Sequence, residues 1–381
     1  MGIKGLTQFI RSKAPGVITP THLREYKGAT LAVDTAIYIF KYKCVAGPQW
    51  ISSFVSMVSM FAKYGIKPIY VFDSQAPPEK LKEQQRRRVL ARLRGQDTEY
   101  LINALEYYKQ SGVCDPLLWT FYQKNCYKSL ISTSEMIYPR CNSVKCDTNN
   151  DDNNDNNNDN IINHELMIPI DHIETVSECL AAKQKQNISI TSTDIALLKQ
   201  LFDKMNVDYC QALSEAEATC SYFKKQQDID AILTDDSDIL CYGCDYLSKL
   251  SGDGACVYTN HDALLDQLEI TKPQFVDFCI CLGTDYNERV KGFGPVKALN
   301  VIKNVGSLDY IPEYKHIDFE RIRQLFGPTQ FKLQIHKTLK LDSKNNNNHN
   351  NNNKDILCPE LNPTQSLNEF LFINNIDITE Q

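Results

Sequence analysis

Acidic residues follow four separate apolar runs in this chain. Asp34 closes TLAVD (30–34), Asp73 closes KPIYVFD (67–73), Asp235, Asp236 and Asp238 follow AILT, and Glu215 and Glu217 follow MNVDYCQA (205–212). Carboxylates brought together out of water repel one another and rise in pKa unless a cation or a hydrogen-bond donor compensates. A converging set of them is what hard, oxygen-seeking Mg²⁺ or Mn²⁺ prefers. Each acid also has a purely local explanation. Ser214 and Glu217 fit a capping box, one aspartate after AILT suits a helix cap, and Asp34 and Asp73 suit turns. The same feature at four run ends favours one shared explanation.

The elements that must position these acids are legible in outline. Strand-like runs alternate with helical stretches such as EAEATCSYFKKQ, the pattern of a parallel, doubly wound α/β sheet. Ligands in such sheets bind at the carboxyl ends of the strands, so acids far apart in sequence converge there.

Composition bounds the rest. With 381 residues, 42% of them hydrophobic and 10% aromatic, a folded, soluble chain of one large or two ordinary domains is expected. No apolar run approaches the roughly 20 residues that span a bilayer. The opening MGIKGLTQFI is too polar for a secretory signal, and Leu6 stands where myristoylation after Gly2 needs Ser or Thr, so no targeting segment is expected. The 14 cysteines lack framework spacing and read as reduced thiols. Cys241 and Cys244 form a CxxC without a second ligand pair and read as packing residues. The charge of −6 includes five acids (Asp147, Asp151, Asp152, Asp155, Asp159) in one asparagine tract, so it does not exclude a nucleic-acid partner. That tract, 147–160, and a second at 345–353 have almost nothing to bury and read as disordered inserts.

The segments MGIKGL, VDTAIYIF, YVFDSQAPPEK, LSEAEATC, LTDDSDIL and FCICLGTDYNERVKGFGPVKAL resemble, in order, the signature blocks of the structure-specific 5′ nuclease superfamily (XPG/Rad2 type), flap endonucleases in particular. The resemblance implies a PIN-like 5′-nuclease α/β fold: a mostly parallel doubly wound sheet flanked by helices, with a helical arch and a helix–two-turn–helix element. It places metal-binding carboxylates on Asp34, Asp73, Glu215, Glu217, Asp236, Asp238 and Asp285. Asp285 enters through the resemblance alone.

Two Mg²⁺ ions in such a site, with Mn²⁺ able to substitute, activate a water on one side of a phosphodiester and stabilise the leaving oxygen on the other. Lys80 and Arg87 lie seven residues apart in the basic stretch EKLKEQQRRRVLARLR, on one face of a helix, where both can address one phosphate; the alternative is a solvated basic helix. The resemblance makes this helix one leg of the arch, expected over 76–190. It gives DNA contacts to Gly2 and to Phe40, whose ring would stack on a base. At the helix–two-turn–helix it implies duplex contacts from Lys291, Gly292, Gly294 and Lys297, with phosphate on the amides opening a helix at Pro295. In the family this turn also holds K⁺ through backbone oxygens.

The expected organisation is an N-terminal nuclease region 1–110, an arch continuation 111–190, an internal nuclease region 191–341 with the helix–two-turn–helix at 271–305, a linker 342–355 and a C-terminal segment 356–381. The expected activity is a flap endonuclease with 5′→3′ exonuclease activity on branched or flapped DNA. The alternatives are an exonuclease on recessed ends, a bubble or junction endonuclease, an RNA exonuclease of related core and an inactive DNA-binding scaffold. A monomer working in the nucleus or another intracellular site of DNA replication is expected, with no membrane partner. Thr364, Leu367, Phe370 and Leu371 approximate a sliding-clamp motif, but the apolar spacing of LNEFLFINNIDITE favours packing on the core.

Overall fold

A computed structural model of the chain describes residues 2–127, 166–185, 188–212, 214–289, 292–311, 317–327 and 366–376. The asparagine tracts, the 342–355 linker, Lys291 and Thr364 lie outside the described residues. Two compact units emerge, one formed by Met1–Arg87 with Ile188–Gln381 and the other by Arg88–Asn187.

The first unit is built on a seven-stranded sheet: β1 (Ile18–His22), β2 (Thr30–Asp34), β3 (Lys67–Phe72), β4 (Asp208–Gln211), β5 (Ala231–Leu233), β6 (Tyr246–Ser248) and β7 (Ala255–Thr259), in the order β1-β7-β6-β5-β2-β3-β4. The five strands from β6 to β4 run parallel, while β7 is antiparallel to both β6 and β1. The chain moves outward from β2 to β3 and β4, then returns to β5 on the other flank of β2. A crevice opens at such a reversal, beyond the carboxyl ends of the strands.

The period-2 alternation of strands explains the layers. Leu31, Val33, Tyr70, Phe72 and Leu233 enter one core with helices Thr35–Ala46, Trp50–Tyr64, Ser192–Met205 and Leu367–Ile373. Ala32, Ile69, Val71 and Ile232 enter the opposite core with helices Leu6–Lys13, Ala216–Gln226, His261–Leu268, Lys272–Leu282, Pro295–Val305 and Phe319–Phe326. The doubly wound expectation is therefore met. Two strands are shorter than their apolar runs: the 205–212 run yields only Asp208–Gln211 because Met205 closes a helix, and the 228–236 run yields only Ala231–Leu233.

The second unit has its own core. Leu101, Leu105 and Tyr108 of helix Leu81–Ser111 pack with Leu118, Phe121 and Tyr122 of Pro116–Asn125 and with Val176 and Leu180 of Ile173–Lys185. The Tyr108 hydroxyl donates to the Ile168 carbonyl at 2.8 Å and accepts from its amide at 2.9 Å. No described helix is long and apolar enough to cross a membrane.

Candidate catalytic centre

Each strand end delivers its acid by a local device. β2 runs directly into helix Thr35–Ala46, leaving Asp34 only 2% exposed, with Oδ2 accepting from Thr234 Oγ1 at 2.9 Å. Asp73 follows β3, and its Oδ1 accepts from the Ala216 amide at 2.7 Å. It thus satisfies the positive N-terminus of helix Ala216–Gln226 from another strand. The capping box read at Ser214 and Glu217 is absent: Glu215 is the cap residue and its side chain makes no cap bond. The local reading does hold for Asp236, whose Oδ1 accepts from the Asp238 amide at 3.0 Å and caps the short turn Ser237–Tyr242. Asp238 Oδ1 accepts from the Ile3 amide at 2.8 Å, which brings the N-terminus to the site. Gly2 sits there at φ +102°, and a Cβ on it would lie 2.6 Å from Asp236 Oδ1 and 2.5 Å from Ser237 Oγ. Only glycine fits that approach.

The gathered carboxylates disturb one another. Burial first, and then the charge of Asp73, holds Asp34 well above the ordinary carboxylate range. Burial followed by Asp34 does the same to Glu217, and burial followed by Asp236 to Asp238. Asp236 is also raised, chiefly by burial. Asp73 opens to solvent, and the Ala216 amide and Lys80 oppose the rise that lost hydration gives it.

Two cations answer this repulsion. Lys80 Nζ pairs with Glu215 Oε1 and lies 3.0 Å from Asp285 Oδ2, and Arg87 pairs with Asp285 Oδ1. Burial works against the ammonium of Lys80, but Glu215, Asp285 and Glu217 outweigh it and its pKa is raised. Lys80 belongs to the short turn Pro78–Lys80 rather than to the helix that begins at Leu81, a refinement of the one-face reading; both cations still reach one acid.

Asp34, Asp73, Glu215, Glu217, Asp236 and Asp285 line one open cavity of about 450 Å³, together with Lys80, Arg87 and Phe40. Phe40 is 39% exposed there. Asp238 stands behind the lining, held by Ile3. Among the described residues no three His, Cys, Asp or Glu side chains are drawn together closely enough to form a ready metal site. The ammonium of Lys80 contacts both Glu215 and Asp285.

Gly292, at φ +85°, and Gly294, the cap residue of helix Pro295–Val305, form the expected turn away from the cavity lining, with Lys297 Nζ 4.3 Å from the Phe293 ring centre. Cys241 and Cys244 are buried free thiols. Three residues of the site were not read from the sequence: Thr234, which donates to Asp34; Glu83, which accepts from Arg87 Nε at 2.8 Å; and Tyr286, whose hydroxyl donates to Glu215. Tyr286 is the immediate neighbour of Asp285, the one clue the sequence offered.

Residues 1–93 match the XPG N-terminal domain and residues 206–285 the XPG I-region. The chain is 28% identical over 327 residues to "Probable RAD2-like endonuclease 369L" of Invertebrate iridescent virus 6, covering 80% of this chain and 71% of the relative. It is 28% identical over 351 residues to "Probable RAD2-like endonuclease 076L" of Invertebrate iridescent virus 3, covering 86% and 85%. Flap endonuclease 1 of Scheffersomyces stipitis is 27% identical over 334 residues, covering 82% of this chain and 69% of the relative. Among solved structures, the catalytic core of Rad2 in complex with DNA substrate aligns with 85% of this chain and 77% of that one at 17% identity and a TM-score of 0.49. The chain is a structure-specific 5′ nuclease. Its two matched regions are those of the XPG/Rad2-type nucleases.

Proposed function

We propose that the chain is a Mg²⁺-dependent flap endonuclease with 5′→3′ exonuclease activity, hydrolysing DNA near the junction of single and double strand. The observation that carries this reading is the cavity at the sheet's reversal point, where acids from β2, β3, the Ala216–Gln226 helix, the strand end after β5 and the Asp285 turn meet Lys80 and Arg87. Its oxygen-only donor set, with Asp34, Glu217, Asp236 and Asp238 raised by burial, fits hard divalent cations. Asp34, Asp73, Glu215, Glu217, Asp236, Asp238 and Asp285 would hold them; Mn²⁺ suits the same donors. Such ions, when bound, supply the positive charge that activates water and stabilises the leaving oxygen.

The remaining roles fall to the chain itself. Lys80 and Arg87, released from the acids, place their charge on the scissile phosphate. Phe40 offers an exposed ring on which a base can stack. The amides opening helix Pro295–Val305 take a duplex phosphate, with Lys291, Lys297, Gly292 and Gly294 around them and K⁺ on the turn's carbonyls. Residues 76–190 are assigned to the arch. The partner is flapped or branched DNA, the chain acts as a monomer without a sliding clamp, and the place is the nucleus or another intracellular site of replication.

Flap, gapped and recessed-end substrates assayed side by side, with and without Mg²⁺, test the reading. Fastest cleavage of the flap near its junction, abolished by EDTA, is expected. Preference for recessed ends would make the chain chiefly an exonuclease, and binding without cleavage would make it a scaffold.

A further inference from the structure

The turn that carries Asp285 also carries an aromatic hydroxyl into the acid cluster. Helix Lys272–Leu282 ends at Gly283, whose φ is +86° and whose Cβ position would fall 2.8 Å from the Arg289 amide. Beyond it Thr284 and Asn287 bridge the turn. Thr284 Oγ1 donates to Asn287 Oδ1 at 2.8 Å and accepts from the Tyr286 amide at 3.1 Å, while Asn287 Nδ2 donates back to the Ile280 carbonyl at 2.9 Å. The backbone of Tyr286 is therefore fixed from both sides. Its ring lies 5.3 Å from that of Phe326, and the Tyr242 hydroxyl is 3.5 Å from its own.

This rigid phenol donates to Glu215 Oε2, 71 residues away in sequence, while Lys80 takes Oε1 of the same carboxylate. We propose that Tyr286 is a positioning residue for Glu215: its hydroxyl fixes Oε2 and leaves Oε1 as the one oxygen offered to a cation. A ligating carboxylate oriented in this way loses less freedom on binding metal, and removing such outer-shell partners characteristically weakens metal affinity 10- to 100-fold. The inference rests on the metal-dependent reading above.

Tyr286→Phe tests it, because the ring and its contact with Phe326 remain while the hydroxyl goes, and with it the bond to Glu215 and the contact with the Tyr242 hydroxyl. Ca²⁺ is titrated calorimetrically into the DNA-free protein, and the same is done in a Glu215→Ala background. The expected result is roughly tenfold weaker Ca²⁺ binding for Tyr286→Phe, an unchanged melting temperature without metal, and no further loss when Glu215 is already alanine. Single-turnover cleavage should return to near the wild-type rate at saturating Mg²⁺. Wild-type Ca²⁺ affinity in Tyr286→Phe, or an equal loss in the Glu215→Ala background, would overturn the inference. Failure of the wild-type protein to bind any divalent ion would instead overturn the metal-dependent reading on which it rests.

Discussion

The Lys80 ammonium lies 3.0 Å from Asp285 Oδ2 while pairing with Glu215, so a lysine fills the space between two acids assigned to metal. The same side chain is assigned to the scissile phosphate, and it cannot serve both at once. Replacing Lys80 with Met should therefore act in opposite directions. Divalent-ion affinity of the DNA-free protein should rise several-fold, because a competing cation is gone. Single-turnover cleavage should fall about a hundredfold, the scale of losing one charge-stabilising donor. Ca²⁺ calorimetry and rapid-quench kinetics read the two effects separately. An unchanged rate beside weaker DNA binding would make Lys80 a solvated binding charge.

Asp236 stands 5% exposed, its Oδ1 engaged by the Asp238 amide. Asp236→Ala should abolish cleavage while duplex binding in Ca²⁺ stays close to wild type, because the Gly292–Gly294 turn lies away from the cavity lining. Turnover on a flap and a binding isotherm in Ca²⁺ check this. More than a tenth of the wild-type turnover remaining would remove Asp236 from the metal set.

The raised carboxyls predict how the metal-free protein responds to pH. Asp34, Glu217 and Asp238 bind protons at higher pH when folded than when unfolded. Their contribution to stability is therefore complete below their ordinary values near 4 and is lost as pH rises through the folded values. In EDTA, the melting temperature should fall from about pH 5 to pH 8, and the fall should shrink in Glu217→Gln. Saturating Mg²⁺ should flatten it, because the carboxylates are then engaged as anions. A melting temperature that climbs across this range in EDTA would contradict the shared burial of the cluster.

The sequence disclosed those parts of the site whose cause is local. TLAVD and KPIYVFD are apolar runs ended by an acid, and both become strands with Asp34 and Asp73 at their carboxyl ends. The antiparallel pair β1 and β7, ITPTH against ACVYT, mixes polar and apolar residues too irregularly to stand out. Thr234 and Tyr286 were missed for another reason. Their partners lie 200 and 71 residues away, so only the assembled fold reveals them. The capping box at Ser214–Glu217 misled because the helix starts one residue later than the pattern requires, with Glu215 as its cap residue, and Asp73, from another strand, takes the Ala216 amide.

The described C-terminal helix Leu367–Ile373 offers the last test. Ser366 and Glu369 form a full capping box at its start, and Gln49 Nε2 donates to the Asn375 carbonyl at 3.0 Å just past its end. Phe370 is 2% exposed and Leu371 4%, both within the core that holds Phe54, Leu198 and Phe202, while Phe372 is 84% exposed. The aromatic that a clamp motif would present outward is thus committed to the nuclease core. Phe370→Ala should destabilise the protein by about 3 kcal/mol, the range for emptying a buried aromatic site, whereas Phe372→Ala should change stability little. Urea denaturation of the two variants decides between packing and display. Equal stability for both, together with micromolar binding of a 360–381 peptide to a sliding clamp that is lost on Phe370→Ala, would transfer Phe370 from the core to a partner.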